Sequence, residues 1–279
     1  MKDMAKTRFL PCKILDKKWA DKLLDGEVFM RPLSEFGSWM DSPDVNDDNR
    51  KDIMEGAVAV FDNPDDFEPL KGLDPEFKKI IGSVSLIDYT ELQYFKVFCM
   101  YCLDVVNNEP VKPDPQIRGF GDTVVVFRDF NSFLVRFFKA ASKVSGSEVV
   151  LLDRIRYYTM SENRKLQPLF EKTSDYMHQK ELRLAYCQSE VDKFAIGDPE
   201  NAYALILDKN RITINVGDIR DIAYAIPMEQ FLNTSGINGR HSFPCVGNIK
   251  APYDFLLDKT REEMKNYKSF IVKPMFTIM

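Results

Sequence analysis

Gln179, Glu181 and Arg183 stand at alternate positions in the run Tyr176-Met177-His178-Gln179-Lys180-Glu181-Leu182-Arg183-Leu184-Ala185-Tyr186. An extended chain puts residues two apart on one side, so this spacing predicts a strand over 177–186. Gln179, Glu181 and Arg183 then face one way, and Leu182, Leu184 and Tyr186 the other. A carboxylate on a rigid strand can accept hydrogen bonds from a sugar hydroxyl and stabilise an oxocarbenium-like transition state, which is what glycosyl transfer requires. Gln179 would orient the second substrate, and Arg183 would hold the Glu181 carboxylate ionised. The plainer alternative is a solvent-facing strand carrying a Glu181–Arg183 ion pair of small energetic weight.

Three further side chains suit a phosphorylated sugar. Arg31 and Arg50 offer the planar fork that pairs with a pyrophosphate, and Ser34 offers a hydroxyl for a ribose. The alternative for the arginines is an edge residue lying along the sheet and a solvated loop charge. No metal site is expected. Asp44-Val45-Asn46-Asp47-Asp48-Asn49 with Glu55 imitates a calcium loop, but Asn49 stands where the turn needs glycine and Pro43 abuts the entering helix. Cys99 and Cys102 have zinc-like spacing without a second pair, and a strand would point their thiols to opposite faces. With only His178 and His241, a histidine-based metal site or triad has few ways to form. Neither phosphate-binding glycine motif of the common kinases and dehydrogenases is present.

The elements that must position these groups begin with Arg8–Leu15, which reads as a strand. Asp16 is a helix N-cap, Ala20, Leu23 and Leu24 recur at helical spacing, and Gly26 takes the left-handed position after the helix. Glu27–Arg31 alternates as a strand and Pro32 ends it. Residues 94–103 are too uniformly apolar for a half-exposed strand and predict a central one, whereas the proline-rich stretch 107–115 predicts a long irregular connection. A strand over 123–127 and a helix over 131–143, with Phe133, Leu134, Phe137 and Phe138 on one face, follow. Further strands are predicted at 148–152, 155–158, 202–207, 212–216 and 222–226. Strands outnumber helices, and the fold class expected is α+β with mixed, mainly antiparallel sheets and flanking helices.

The chain has 279 residues, 44% apolar and 29% charged, enough for one well-filled core. A single domain over 1–279 is expected, with 227–279 as a C-terminal elaboration. Its 38 Lys and Arg against 43 Asp and Glu give a net charge of −5, which argues against general nucleic-acid binding. Five scattered cysteines make a poor disulfide framework and fit a reducing cytoplasm. No signal peptide or membrane span is read in the sequence.

Gln-x-Glu on a strand resembles the signature of ADP-ribosyltransferases, which also open with strand, helix, strand. Gln179-x-Glu181-x-Arg183, Pro32-Leu33-Ser34-x-Phe36, Arg50-x-Asp52-x-x-Glu55-Gly56 and Gly217-Asp218-Ile219-x-Asp221-Ile222 together resemble a set of uncharacterised bacterial and phage proteins, over roughly residues 8 to 226. The resemblance implies a split sheet and NAD as substrate. It implies that Glu181 binds the nicotinamide ribose and that Gln179 places a macromolecular acceptor; the candidate NAD contacts, by their side-chain chemistry, are Arg31, Ser34, Arg50 and Arg183. It places the chain in phage–host conflict. The first strand carries Cys12 and Lys13 where those enzymes have histidine or arginine. A chain that keeps the fold without the chemistry would instead be a nucleotide- or protein-binding phage or defence factor.

Overall fold

The computed structural model describes residues 7–36, 52, 54–61, 84–87, 95–143, 148–159, 164–188, 211–237 and 270–271. The predicted strand at 202–207, the acidic run 44–49, Arg50 and His241 lie outside the described residues.

The opening unit is β1 (Thr7–Leu15), α1 (Lys17–Leu24) and β2 (Glu27–Pro32). Asp16 occupies the N-cap position, and its carbonyl accepts from the Ala20 amide at 3.0 Å, but its side chain makes no capping bond. The cap is supplied from far along the chain, by the Asp122 carboxylate accepting from the Lys17 amide at 2.8 Å. Gly26 follows with φ +99°, and a Cβ there would lie 2.2 Å from the Gly217 carbonyl oxygen. The position is closed to any side chain by sterics as well as by its left-handed backbone.

Gly217 belongs to the motif Gly217-Asp218-Ile219-x-Asp221-Ile222, whose work here is structural. Val216 and Ile219 donate their amides to the carbonyls of Gly26 and Leu24, both at 2.9 Å, and Ile219 is fully buried. Arg220 reaches Asp25, and Arg136 from the next helix reaches Asp221. The motif fastens the end of α1 to the rest of the domain.

β5 (Phe95–Val106) is the central strand, as its apolar run requires. One edge pairs with β12 (Glu181–Gln188). The other is shared: β1 takes residues 101–106 and β2 takes residues 96–97, both antiparallel. The sheet forks at this edge. One branch runs from β1 to β7 (Thr123–Phe127) and β14 (Ala223–Pro227), and the other from β2 to β13 (Ile212–Asn215). Beyond β12 lie β8 (Glu148–Arg154) and the parallel strand β15 (Phe270–Ile271). All other pairings of this sheet are antiparallel, so the protein is α+β with a mainly antiparallel sheet.

The residues after β5 correct the expected irregular connection. Asn107 and Asn108 adopt φ +53° and +68°, and the chain returns as β6 (Glu109–Pro110) on the end of β5. Asparagine tolerates the left-handed conformation that a tight hairpin needs, a signal masked by the prolines around it. A 3-10 turn, Pro115–Phe120, follows, its first turn capped by the Asp114 carboxylate.

α2 (Phe130–Ala141) is capped by Asp129 and buries Phe130, Phe133, Leu134, Phe137 and Phe138. The Phe127 and Phe133 rings pack at 4.6 Å, and this aromatic stack joins α1, Met100, Leu182, Leu184 and Tyr186 in the largest core cluster. A second cluster, including Tyr101 and Phe231, fills the opposite face beneath α3 (Met228–Leu232). A third cluster, of Leu33, Val97, Leu151, Ile155, Leu169, Phe170 and Ala185, flanks the charged groups of β12.

Candidate functional site

Strand β12 begins at Glu181, and Gln179 does not belong to it. Residues 174–179 form a 3-10 turn, and Lys180 is left-handed with φ +39°, breaking the two-residue period expected over 177–186. From Glu181 onward the alternation holds. Leu182, Leu184 and Tyr186 enter the largest core, and Glu181 and Arg183 face the other side with Ala185. The start of the strand is fixed by its backbone. Cys102 donates to the Lys180 carbonyl at 2.8 Å, Ile155 to the Glu181 carbonyl at 2.9 Å, and the Glu181 amide donates to the Tyr157 hydroxyl at 3.0 Å.

Glu181 and Arg183 are not solvent-facing. Arg183 is 1% exposed and Glu181 5%. Each charge meets two opposite charges in a closed ring. Arg183 Nε lies 2.8 Å from Glu181 Oε1, and Arg183 NH1 2.8 Å from Glu55 Oε1. Lys172 Nζ completes it at 2.8 Å from Glu55 Oε2 and 2.9 Å from Glu181 Oε2. Lys172 comes from the short strand β11 (Glu171–Thr173), which pairs in parallel with β9 (Arg156–Tyr158). Arg183 NH1 also donates to the Leu169 carbonyl at 2.8 Å.

Gln179 joins this centre by a route other than strand alternation. Its Oε1 accepts from Lys172 Nζ at 3.1 Å, so the turn carries it to the ring that the strand carries Glu181 to. The Tyr176 ring lies over the same ammonium, 5.8 Å from Nζ to the centroid.

Glu55 arrives on the turn of Asp52-x-x-Glu55-Gly56. Asp52 Oδ1 accepts from the Met54 amide at 2.9 Å, the Glu55 amide donates to the Asp52 carbonyl at 2.9 Å, and Gly56 takes φ +83°. The aspartate shapes the turn, the glycine closes it, and the glutamate between them points into the ring. β3 (Ala57–Phe61), paired with β4 (Val84–Ile87), leads away from this turn.

The electrostatics follow from enclosure. Burial pushes the Glu181 carboxyl up, but Arg183 and Lys172 outweigh it and hold the group well below the usual carboxylate range. For Lys172, burial favours the neutral amine, yet Glu181 and Glu55 overcome it and keep the ammonium charged. The Cys99 thiol stands opposite Arg183 in the β5–β12 register, within reach of the Glu181 charge. Burial, then the Glu181 charge, push that thiol up to about 12, so it stays protonated. Cys102 faces the other side of β5, as a strand requires.

Asp52 breaks the balance of charge. It is 2% exposed, and its Oδ2 has no hydrogen-bond partner among the described residues. Burial, and next the Glu55 carboxylate, raise it to about 6 against the pull of Lys172 and Arg183.

Two of the other expected ligands, Arg31 and Ser34, are among the described residues. Arg31 is exposed and stacks on Phe29, 5.8 Å from the ring centroid, on the strand face expected for it. Ser34 is half-buried in the 3-10 turn Leu33–Glu35 after β2. Among the described residues, neither is joined to the ring by a hydrogen bond or ion pair. Lys172 was not legible in sequence, since nothing in Glu171-Lys172-Thr173 marks it. Glu55 and Asp52 carried a signal, the Arg50-x-Asp52-x-x-Glu55-Gly56 pattern, without an indication of where they point.

Among the described residues no helix is long and apolar enough to cross a membrane, and no group of His, Cys, Asp and Glu is arranged to hold a metal ion. No family model, curated protein or solved structure matches the chain.

Proposed function

We propose that the chain is an ADP-ribosyltransferase-like enzyme of the cytoplasm, active in phage–host conflict, that takes NAD as substrate and passes ADP-ribose to a macromolecular acceptor. The observation that carries this reading is the buried Glu181 carboxylate, kept ionised by Arg183 and Lys172 and linked through Lys172 to Gln179. A fixed anion in a site of low polarity stabilises a developing ribosyl cation far more than it would in water. Buried ion pairs are often no better for stability than well-packed apolar side chains, so a four-charge ring is better explained by what it does than by what it holds.

Both Glu181 oxygens are engaged, and a ribose hydroxyl must therefore exchange with one of the two cations. Lys172 is the exchangeable one. It keeps Glu55 at 2.8 Å and Gln179 at 3.1 Å when it releases Glu181. Arg183, held also by Glu55 and the Leu169 carbonyl, stays as the fixed counter-charge. Gln179 orients the acceptor, and Arg31 and Ser34 on the second strand and its following turn supply the outer contacts to NAD, with Arg50 beside the Asp52 turn in sequence.

The enclosure of Glu181 favours a second reading, a non-catalytic nucleotide- or protein-binding factor in which the ring is a structural clasp. Incubation of a cell lysate with the protein and labelled NAD, read by mass spectrometry, separates the two. Label on a macromolecule is the expected result. Free nicotinamide alone indicates glycohydrolase activity, and binding without turnover supports the second reading.

A further inference from the structure

We propose that Asp52 is the proton acceptor for the incoming nucleophile, an assignment that rests on the transferase reading above. Among the described residues it is the buried carboxylate of this centre that retains a free oxygen. Oδ1 is committed to the Met54 amide at 2.9 Å, and Oδ2 has no hydrogen-bond partner among the described residues although the side chain is almost wholly enclosed. Glu55 and Glu181 have every oxygen occupied by Lys172 or Arg183. A buried carboxylate oxygen left without a donor costs free energy, and such a cost is retained where the group must accept something during the reaction.

The surroundings suit that task. The groups that act on Asp52 are Glu55 on its own turn, Lys172 on β11 and Arg183 on β12. The half-buried Tyr176 on the 3-10 turn also feels its charge. Lys172 is the residue that holds Gln179, so the acceptor-orienting amide and Asp52 share one neighbour. With Asp52 ionised the centre carries three carboxylates against two cations, and the uptake of one proton brings it to neutrality. Burial and Glu55 place the carboxyl at about 6, where it is ionised at neutral pH and basic enough to accept a proton.

The step balances without a further reactant. As the bond between the ribose C1′ and the nicotinamide nitrogen breaks, its electron pair stays on nitrogen and neutralises the pyridinium charge. A lone pair of the acceptor oxygen or nitrogen forms the new bond to C1′. The proton that this atom sheds passes to Asp52 Oδ2, and from there to solvent after product release.

The test is the pH profile of ADP-ribose transfer from labelled NAD by the full chain, wild type against Asp52→Asn, with acetate and formate added to Asp52→Ala. Asparagine keeps the shape and the turn-forming oxygen, and it removes an uncompensated buried charge, so the variant retains the fold at neutral pH. Wild-type transfer is expected to fall about tenfold per pH unit below about 6. Asp52→Asn is expected to be slower at pH 7.5 by about 10²-fold or more, without that acid limb. Added carboxylate is expected to restore part of the rate to Asp52→Ala. Wild-type transfer with an acid limb that persists in Asp52→Asn, or an Asp52→Asn rate within a few-fold of wild type, overturns the assignment and leaves the transferase reading standing. Absence of NAD turnover by the wild type at every pH overturns the transferase reading and the assignment with it.

Discussion

Arg183 and Glu55 are 128 residues apart in sequence and meet through NH1 and Oε1 at 2.8 Å. One sits on the strand beside the central strand of the sheet, the other on a turn held by Asp52 and Gly56. The contact pins that turn against β12, and Lys172 closes the ring from a third element.

The ring makes single substitutions costly. Glu55→Ala leaves Arg183 and Lys172 each short of a partner in the interior, and the expected loss is about 3–5 kcal/mol, the usual cost of breaking a buried pair. Urea denaturation of Glu55→Ala, Arg183→Met and the double variant measures it. The double variant is expected to be less destabilised than the two single losses added together, because the second change removes a charge that the first had stranded.

The response to pH has two opposed parts. Asp52 is raised to about 6 in the folded protein, so it favours the folded state when protonated. That contribution is fully present below the ordinary carboxylate value and is lost as pH rises through about 6. Glu181 is held below its ordinary value by Arg183 and Lys172, with burial acting against them. Its contribution is present above the ordinary carboxylate range and is lost as pH falls beneath it. Stability is therefore expected to rise by about 1 kcal/mol from pH 7.5 to pH 5 and to decline in stronger acid. Asp52→Asn is expected to lose the rise and keep the decline, a difference that thermal melts across pH 3–8 resolve.

Gly26 and Gly217 test the packing of the opening unit. Alanine at Gly26 meets both a left-handed backbone and the Gly217 carbonyl, with 2.2 Å to its oxygen. Alanine at Gly217, φ +77°, enters open space. Gly217→Ala is expected to cost about 1–2 kcal/mol from the backbone alone, and Gly26→Ala clearly more. Chemical denaturation of the two variants gives the comparison, and equal losses contradict the close approach.

How far the sequence disclosed this arrangement depended on the range of the interactions. Periodicity and local stops located β1, α1 and β2, the central strand and the phenylalanine face of α2, because each is set by neighbours within a few residues. The alternation of Glu181 and Arg183 against Leu182 and Leu184 was legible for the same reason. Their burial was not, since it depends on Glu55 and Lys172, which reach β12 from other parts of the chain. The spacing of Gln179 fits the strand, and the left-handed Lys180 overrides that pattern. Asp16 stands in the N-cap position of α1, but the capping carboxylate is that of Asp122, more than a hundred residues away.

Gln179 separates orientation from bond cleavage. Its amide oxygen accepts one bond from Lys172, which retains Glu55 and Glu181 without it. Gln179→Ala is expected to leave the fold intact and to lower transfer to the macromolecular acceptor by about tenfold or more relative to NAD hydrolysis. Parallel assays of labelled acceptor and released nicotinamide give this ratio, and an equal fall in both contradicts the assigned role.

The most direct measurement is single-turnover transfer of ADP-ribose from labelled NAD by Glu181→Gln, with NAD affinity measured separately and the fold verified by near-ultraviolet circular dichroism. Glutamine preserves the shape of the side chain and removes the charge that the ribosyl cation draws on in the transition state. A folded variant that binds NAD and has lost about 10²-fold or more in rate is the predicted result. A folded variant that transfers within about tenfold of wild type contradicts the account, and Glu181 is then a member of a structural ion ring.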